Sequence, residues 1–156
     1  MGDRTTVNIT VRRRDVPLVE RLMEYSAEET WDEGTGACLI WHDVNYGGGD
    51  VWEALVAARI PFHGWHGEGG CYEARLYAYP GDTPDERGEL ADCAALGGEG
   101  LAPAVECDPE TGEPHAEQIA AARAWAKAQA QAVAIFEQGD KWTVSYGSTP
   151  VSKVGI

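Results

Sequence analysis

Imidazole and thiol groups stand closest together within residues 60–79, Ile-Pro-Phe-His-Gly-Trp-His-Gly-Glu-Gly-Gly-Cys-Tyr-Glu-Ala-Arg-Leu-Tyr-Ala-Tyr, which hold two of the four histidines and one of the four cysteines. His63, His66 and Cys71 carry the donors zinc prefers, and a structural zinc site needs a fourth ligand. Here that ligand has to come from elsewhere in the chain: His42, Asp43 or Cys107. The spacing matches no finger or ribbon pattern. Without a metal, the two histidines are turn residues packed beside Phe62 and Trp65. His66 with Cys71 also has the composition of a thiolate–imidazole pair, but nucleophilic catalysis needs an orienting group and an oxyanion donor as well, and no local motif supplies them.

Two further constellations invite the same comparison. Residues 45–50, Asn-Tyr-Gly-Gly-Gly-Asp, fall between a strand pattern and a helix pattern, the usual place of a phosphate loop. Neither the Walker lysine nor the dinucleotide glycine spacing is present, and Asp50 would compete with a phosphate for the same N–H groups. Helix capping is the better reading. The second constellation is acidic: Glu28, Glu29, Asp32 and Glu33 surround Trp31, and Asp82, Asp85, Glu86 and Glu89 open a stretch with eleven acids and one base, Arg87, between Asp82 and Glu117. General acid–base chemistry requires two carboxyls at a fixed separation with split pKa values, which loop carboxylates do not promise. Recognition of a basic surface demands less geometry, since spaced carboxylates pair with Arg and Lys or stand in for phosphates. An exposed tryptophan among them fits the composition of a binding hot spot.

The elements that must position these groups follow from periodicity. Residues 5–11 alternate apolar Val7, Ile9 and Val11 with polar neighbours, the pattern of a half-buried strand. Asp15 and Pro17 open a helix that carries Leu18, Val19, Leu22 and Met23 on one side and runs to Glu28 or Glu29. Residues 30–36 read as a loop. The nearly continuous apolar run 37–44 is a central strand. Asp50 and Glu53 resemble a capping box at the start of a short helix, which Pro61 limits. Residues 60–62 then read as an edge-like strand, paired across the glycines with the strand 73–79. Short strands are expected at 89–94 and 103–107, followed by an alanine-rich helix over 116–138 that Gly139 stops. A last strand is read at 141–146. This order predicts an α+β fold: a mostly antiparallel mixed sheet with two short helices and one long C-terminal helix packed on one face. Residues 1–146 form one domain in this reading, with 147–156 as a loose tail.

Composition narrows the function. With 12 basic and 26 acidic residues the net charge is −14, so phosphate backbones are repelled and direct nucleic-acid binding is disfavoured. Arg12, Arg13 and Arg14 are the one basic cluster. Such charge favours a basic partner, and it also serves solubility on its own. No apolar run is long enough to span a bilayer and no export signal opens the chain, so a cytoplasmic protein with reduced Cys38, Cys71, Cys93 and Cys107 is expected. No cofactor signature is present.

The blocks 38–47, Cys-Leu-Ile-Trp-His-Asp-Val-Asn-Tyr-Gly, and 60–67, Ile-Pro-Phe-His-Gly-Trp-His-Gly, resemble small accessory proteins carried by phages and plasmids. The resemblance spans about the first half of the chain and carries over no functional residue. It implies a stoichiometric inhibitor of host defence, of the anti-restriction or anti-CRISPR kind, acting on a nucleic-acid-handling complex. The expectation is therefore a non-enzymatic acidic binding protein that uses Glu28, Glu29, Trp31, Asp32, Glu33, Asp82, Asp85, Glu86 and Glu89. The alternative is a metal-dependent enzyme or metal-binding module built on His63, His66 and Cys71.

Overall fold

A computed structural model describes residues 4–34, 36–96 and 102–146, except the side chains of Glu33 and of residues 139–146. Strands β1 (Arg4–Arg12), β2 (Glu29–Glu33), β3 (Gly36–Asn45), β4 (Phe62–His66), β5 (Arg75–Tyr79) and β6 (Ala91–Ala94) form one sheet in the order β2-β3-β1-β4-β5-β6. Each neighbouring pair is antiparallel, so the described sheet is not mixed. Helices α1 (Val16–Met23), α2 (Val51–Ala57) and α3 (Ala116–Tyr146) pack on it, which makes the fold α+β as the sequence predicts.

The helices cover both faces, not one. On the first face Val7, Ile9 and Val11 of β1 join Leu39 and Phe62 from the flanking strands. Val19 and Met23 of α1 and Val51, Trp52 and Leu55 of α2 close that core. The opposite face holds the intervening residues. Thr10, Cys38, Leu76, Ala78 and Cys93 are all buried there, and α3 crosses it over β6, β5 and β4 with Ala128, Ala132 and Phe136 inward. Phe136 reaches in beside Thr10 and Gly36, and its ring lies 6.0 Å from that of His63. The second core escapes a hydrophobicity count because, apart from Leu76 and Phe136, the residues named here are small or polar.

Gly64 shows why β4 can sit inside the sheet. A Cβ at this position would stand 2.3 Å from the Asn8 carbonyl oxygen, so the close approach of β4 to β1 requires glycine. Pro61 precedes the first paired residue, Phe62, and so removes no ladder hydrogen bond. The expected edge-like strand at 60–62 is thus an interior strand starting at Phe62, and Trp65 lies in that strand instead of in a turn.

Four other readings differ. Glu24 takes a left-handed conformation, φ 71°, that closes α1 well before Glu28. The chain then pairs with β3, so the segment read as a loop at 30–36 contains the edge strand β2 and a turn at Gly34, φ 68°. Residues 103–107 form only isolated bridges, at Pro103 and Cys107. The strand read at 141–146 is helix, because α3 continues through Gly139 to Tyr146. One glycine costs a helix about 1 kcal/mol, too little to stop it when the flanking turns persist. The expected tail at 147–156 lies outside the described residues.

Candidate functional site

Pairing converts the first acidic cluster from a loop into a surface. Glu29, Thr30, Trp31, Asp32 and Glu33 stand opposite Ile40, Leu39, Cys38, Ala37 and Gly36 of β3. Alternation then places Glu29 and Trp31 on the second face, with Thr30 and Asp32 on the first. Trp31 is 58% exposed although Cys38 opposite it is buried. Beyond β2 the sheet has no further strand among the described residues, so one row of its backbone N–H and C=O groups faces outward.

The carboxylates here are partly engaged. Glu28 accepts a hydrogen bond from the His42 backbone N–H, and Glu29 Oε2 lies 2.6 Å from His42 Nε2. A carboxylate only accepts, so Nε2 carries the proton. Nδ1 of the same ring lies 3.3 Å from the Thr6 hydroxyl. The Glu29 bond raises the His42 pKa, with slight desolvation acting against it. Arg13 Nη2 stands 2.6 Å from Asp32 Oδ1 and also donates to the Gly34 carbonyl, tying the turn between β2 and β3 to the end of β1. These pairs are exposed, with Arg13 and Asp32 side chains 43% and 73% accessible. Such contacts hold by under about 1 kcal/mol, so an incoming cation can replace either one.

The second acidic cluster lies at the other end of the sheet. Asp82, Asp85, Glu86 and Glu89 belong to the connection between β5 and β6, which lie four and five strand intervals from β2, or roughly 19–24 Å at ~4.8 Å per interval. Asp82 is a structural clamp. It accepts from the Tyr79 hydroxyl at 3.1 Å and the Gly88 N–H at 2.9 Å, and pairs with Arg59 at 3.0 Å. Asp85, Glu86 and Glu89 are exposed, and Glu86 and Glu89 help wall a cavity of about 570 Å³ against Ala124, Ala128 and Ile135 of α3. The residues read as candidate partner contacts therefore divide into two separate patches, and Asp82 is engaged by partners within the fold.

The histidines separate as well. His63 and His66 are three residues apart in β4, which sends them to opposite faces of the sheet. His63 lies under Phe136, where burial lowers its pKa to about 4. His66 lies on the first face beside Trp52, at a ring separation of 6.4 Å. Cys71 is exposed and lines one cavity with His66 but not with His63. Among the described residues, no group of three His, Cys, Asp or Glu side chains is placed to hold a metal ion. Cys38 and Cys93 are buried, and Cys71 and Cys107 are exposed.

Sequence reasoning missed one arrangement. His66 Nδ1 lies 2.8 Å from the Gly67 carbonyl, and Nε2 lies 3.1 Å from the Tyr77 hydroxyl. A carbonyl can only accept, so Nδ1 bears the hydrogen and Nε2 accepts from Tyr77. Desolvation, with Arg75 nearby, lowers the His66 pKa, and burial raises that of Tyr77 to about 12. The aromatic density of residues 60–79 was the available signal, but Tyr46 joins from a distant turn. Comparison with known proteins gives no matching family model, no similar curated protein and no similar solved structure. No helix of the described residues is long and apolar enough to cross a membrane.

Proposed function

We propose that this chain is a non-enzymatic acidic binding protein whose β2 edge receives an extended basic segment of a protein partner. One observation carries the reading: Trp31 stands 58% exposed on an edge strand lined by carboxylates. Strand addition satisfies the outward backbone groups of β2, Trp31 anchors an apolar contact, and Glu29 and Asp32 meet Lys or Arg at alternate positions on the two faces. The same charges oppose pairing with a second copy of this acidic edge. A net charge of −14 favours encounter with a basic, nucleic-acid-handling protein or ribonucleoprotein. Inhibition of a host-defence complex is the finer form of the proposal, supported by the resemblance of residues 38–47 and 60–67 to phage and plasmid accessory proteins. The alternative module on His63, His66 and Cys71 has less support, since the first two occupy opposite faces.

The test is recovery of partners from host lysate at low and moderate salt, identified by mass spectrometry, with Trp31→Ala and Thr30→Pro as comparisons. Thr30 is exposed on β2, and proline there obstructs strand addition. The expected result is a basic complex retained at low salt, released as salt rises, and lost with either substitution. Equal recovery by the wild-type chain and both variants would sink the β2 reading.

A further inference from the structure

An open cavity of about 600 Å³ at one end of the sheet is lined by Tyr46, His66, Tyr72, Tyr77, Glu73 and Arg75, with Cys71 beside them. It lies apart from β2 and from the acidic connection. Four of its walls are aromatic. Tyr72 meets the His66 ring edge-on at 5.3 Å and 84°, and Tyr77 lies 5.6 Å from the same ring. Behind Tyr77, Trp52 stacks at 4.1 Å and 13°, so one face of the phenol is covered and its orientation is set. Trp52 is in turn held by its indole N–H, which donates to the Gly47 carbonyl at 3.0 Å.

Tyr46 is the unusual member. Its φ is 53°, a left-handed conformation that side chains rarely adopt, and its side chain is 60% exposed at the cavity rim. Gly47 follows at φ 64°, where a Cβ would stand 2.7 Å from the His66 ring. The chain is thus bent tightly against His66 in a way that presents an exposed phenol. Folding alone does not reward a strained backbone that leaves a large ring in water, and such strain gathers at ligand clamps.

The charge around the cavity narrows the ligand. His66 carries a hydrogen on Nδ1, which donates to the Gly67 carbonyl, and desolvation lowers its pKa, so the neutral ring is the favoured form. Arg75 is the one cation among the lining residues, and its guanidinium is occupied: Nε and Nη2 bond Asp92 at 3.0 and 2.7 Å, and Nη1 bonds Glu73 at 3.1 Å. Three of the five N–H groups of Arg75 are thus taken by carboxylates, whose charges also offset the guanidinium and repel an anion. A cation would find aromatic walls and the carboxylates of Glu73 and Asp92, with Glu53 also near Tyr77.

We infer that this cavity binds an alkylated ammonium group, held by cation–π attraction to Tyr46, Tyr72 and Tyr77. A quaternary ammonium suits such walls because it is cationic, weakly hydrated and has no N–H to leave unpaired. Its source is either a free choline-like molecule or a methylated lysine side chain, and the two share the recognised chemistry.

Calorimetric titration of the full chain decides, using choline, its neutral carbon isostere 3,3-dimethylbutan-1-ol, and a lysine peptide with and without trimethylation. The expected result is saturable binding of choline or of the trimethylated peptide, with the corresponding uncharged or unmethylated ligand at least about tenfold weaker. Tyr46→Ala should weaken binding about tenfold, while Tyr46→Phe, which keeps the ring, should restore it. Choline binding assigns a small-molecule source, and binding of the peptide alone assigns methyl-lysine. Equal affinity for choline and the isostere, or no saturable binding by either ammonium ligand, overturns the inference. Tyr46 is exposed, so Tyr46→Ala is not expected to unfold the chain, and a thermal melt verifies this.

Discussion

At the residue scale His63 is the clearest case of a side chain doing something other than its type suggests. An imidazole near Cys71 invites a metal reading, yet β4 turns His63 toward Phe136 and away from both His66 and Cys71. Its cost is proton-linked. Burial lowers the folded-state pKa from 6.5 to about 4, so between these values the unfolded chain binds more protons than the folded one. The stability that neutral His63 preserves is therefore complete above pH 6.5 and falls as the pH drops toward 4. The span of 6.5 to about 4 corresponds to about 3 kcal/mol. His66, also lowered, adds in the same direction. Urea denaturation at pH 7, 6 and 5 should show wild-type stability declining with acid, and His63→Leu should decline less steeply. Parallel curves for the two proteins would mean that His63 protonates freely in the folded state.

At the scale of elements, α3 carries the second core almost without large side chains. Ala128 and Ala132 let the helix lie close on the sheet, and Phe136 is the bulky residue that fills the space beside Thr10, Gly36 and His63. Phe136→Ala should cost about 3–5 kcal/mol, as large buried aromatics do, whereas Ala130→Gln on the exposed side should change stability by less than about 0.5 kcal/mol. Phe136 and His63 are coupled. Opening the space over His63 lets water reach the imidazole, so the acid sensitivity of Phe136→Ala should be smaller than that of the wild type. Chemical denaturation across the same pH series reads both effects, and a Phe136→Ala loss under about 1 kcal/mol would show that the helix is held elsewhere.

Much of the arrangement of elements was legible in advance. β1 and β3 announce themselves by alternation and by a long apolar run, α2 by its start and by Pro61, and α3 by alanine. β2 was not, because a polar edge strand makes no hydrophobic pattern: its existence depends on backbone pairing with β3. The second core was hidden for a related reason, since Thr10, Cys38 and Ala78 read as ordinary polar or small residues until α3 covers them. Trp31 was identifiable as an exposed anchor beside carboxylates, but its place on a sheet edge was not. The tyrosine-lined cavity required the tertiary fold, which brings Tyr46 to the hairpin of β4 and β5.

At the scale of the whole molecule, self-repulsion is expected to outweigh the other electrostatic effects. The chain has 12 basic and 26 acidic residues, and the ion pairs of Arg13, Arg59 and Arg75 are at least partly exposed. Exposed pairs contribute little each, so screening them loses less than screening the repulsion among the unpaired carboxylates gains. The screening length shrinks from about 30 Å at 0.01 M salt to about 10 Å at 0.1 M, a change that spans the ~24 Å width of the sheet. Melting temperature should therefore rise with sodium chloride over that range, by about 2–4 °C for each kcal/mol of repulsion relieved. Capture of a basic partner at β2 has the opposite dependence, because the same ions weaken its attraction. One salt series on the isolated chain and on the captured complex thus separates the two roles of the charge. If the melting temperature fell as salt rose, the ion pairs would outweigh the repulsion, and attraction of a basic partner would have to rest on the local carboxylates of β2 instead of on the field of the molecule.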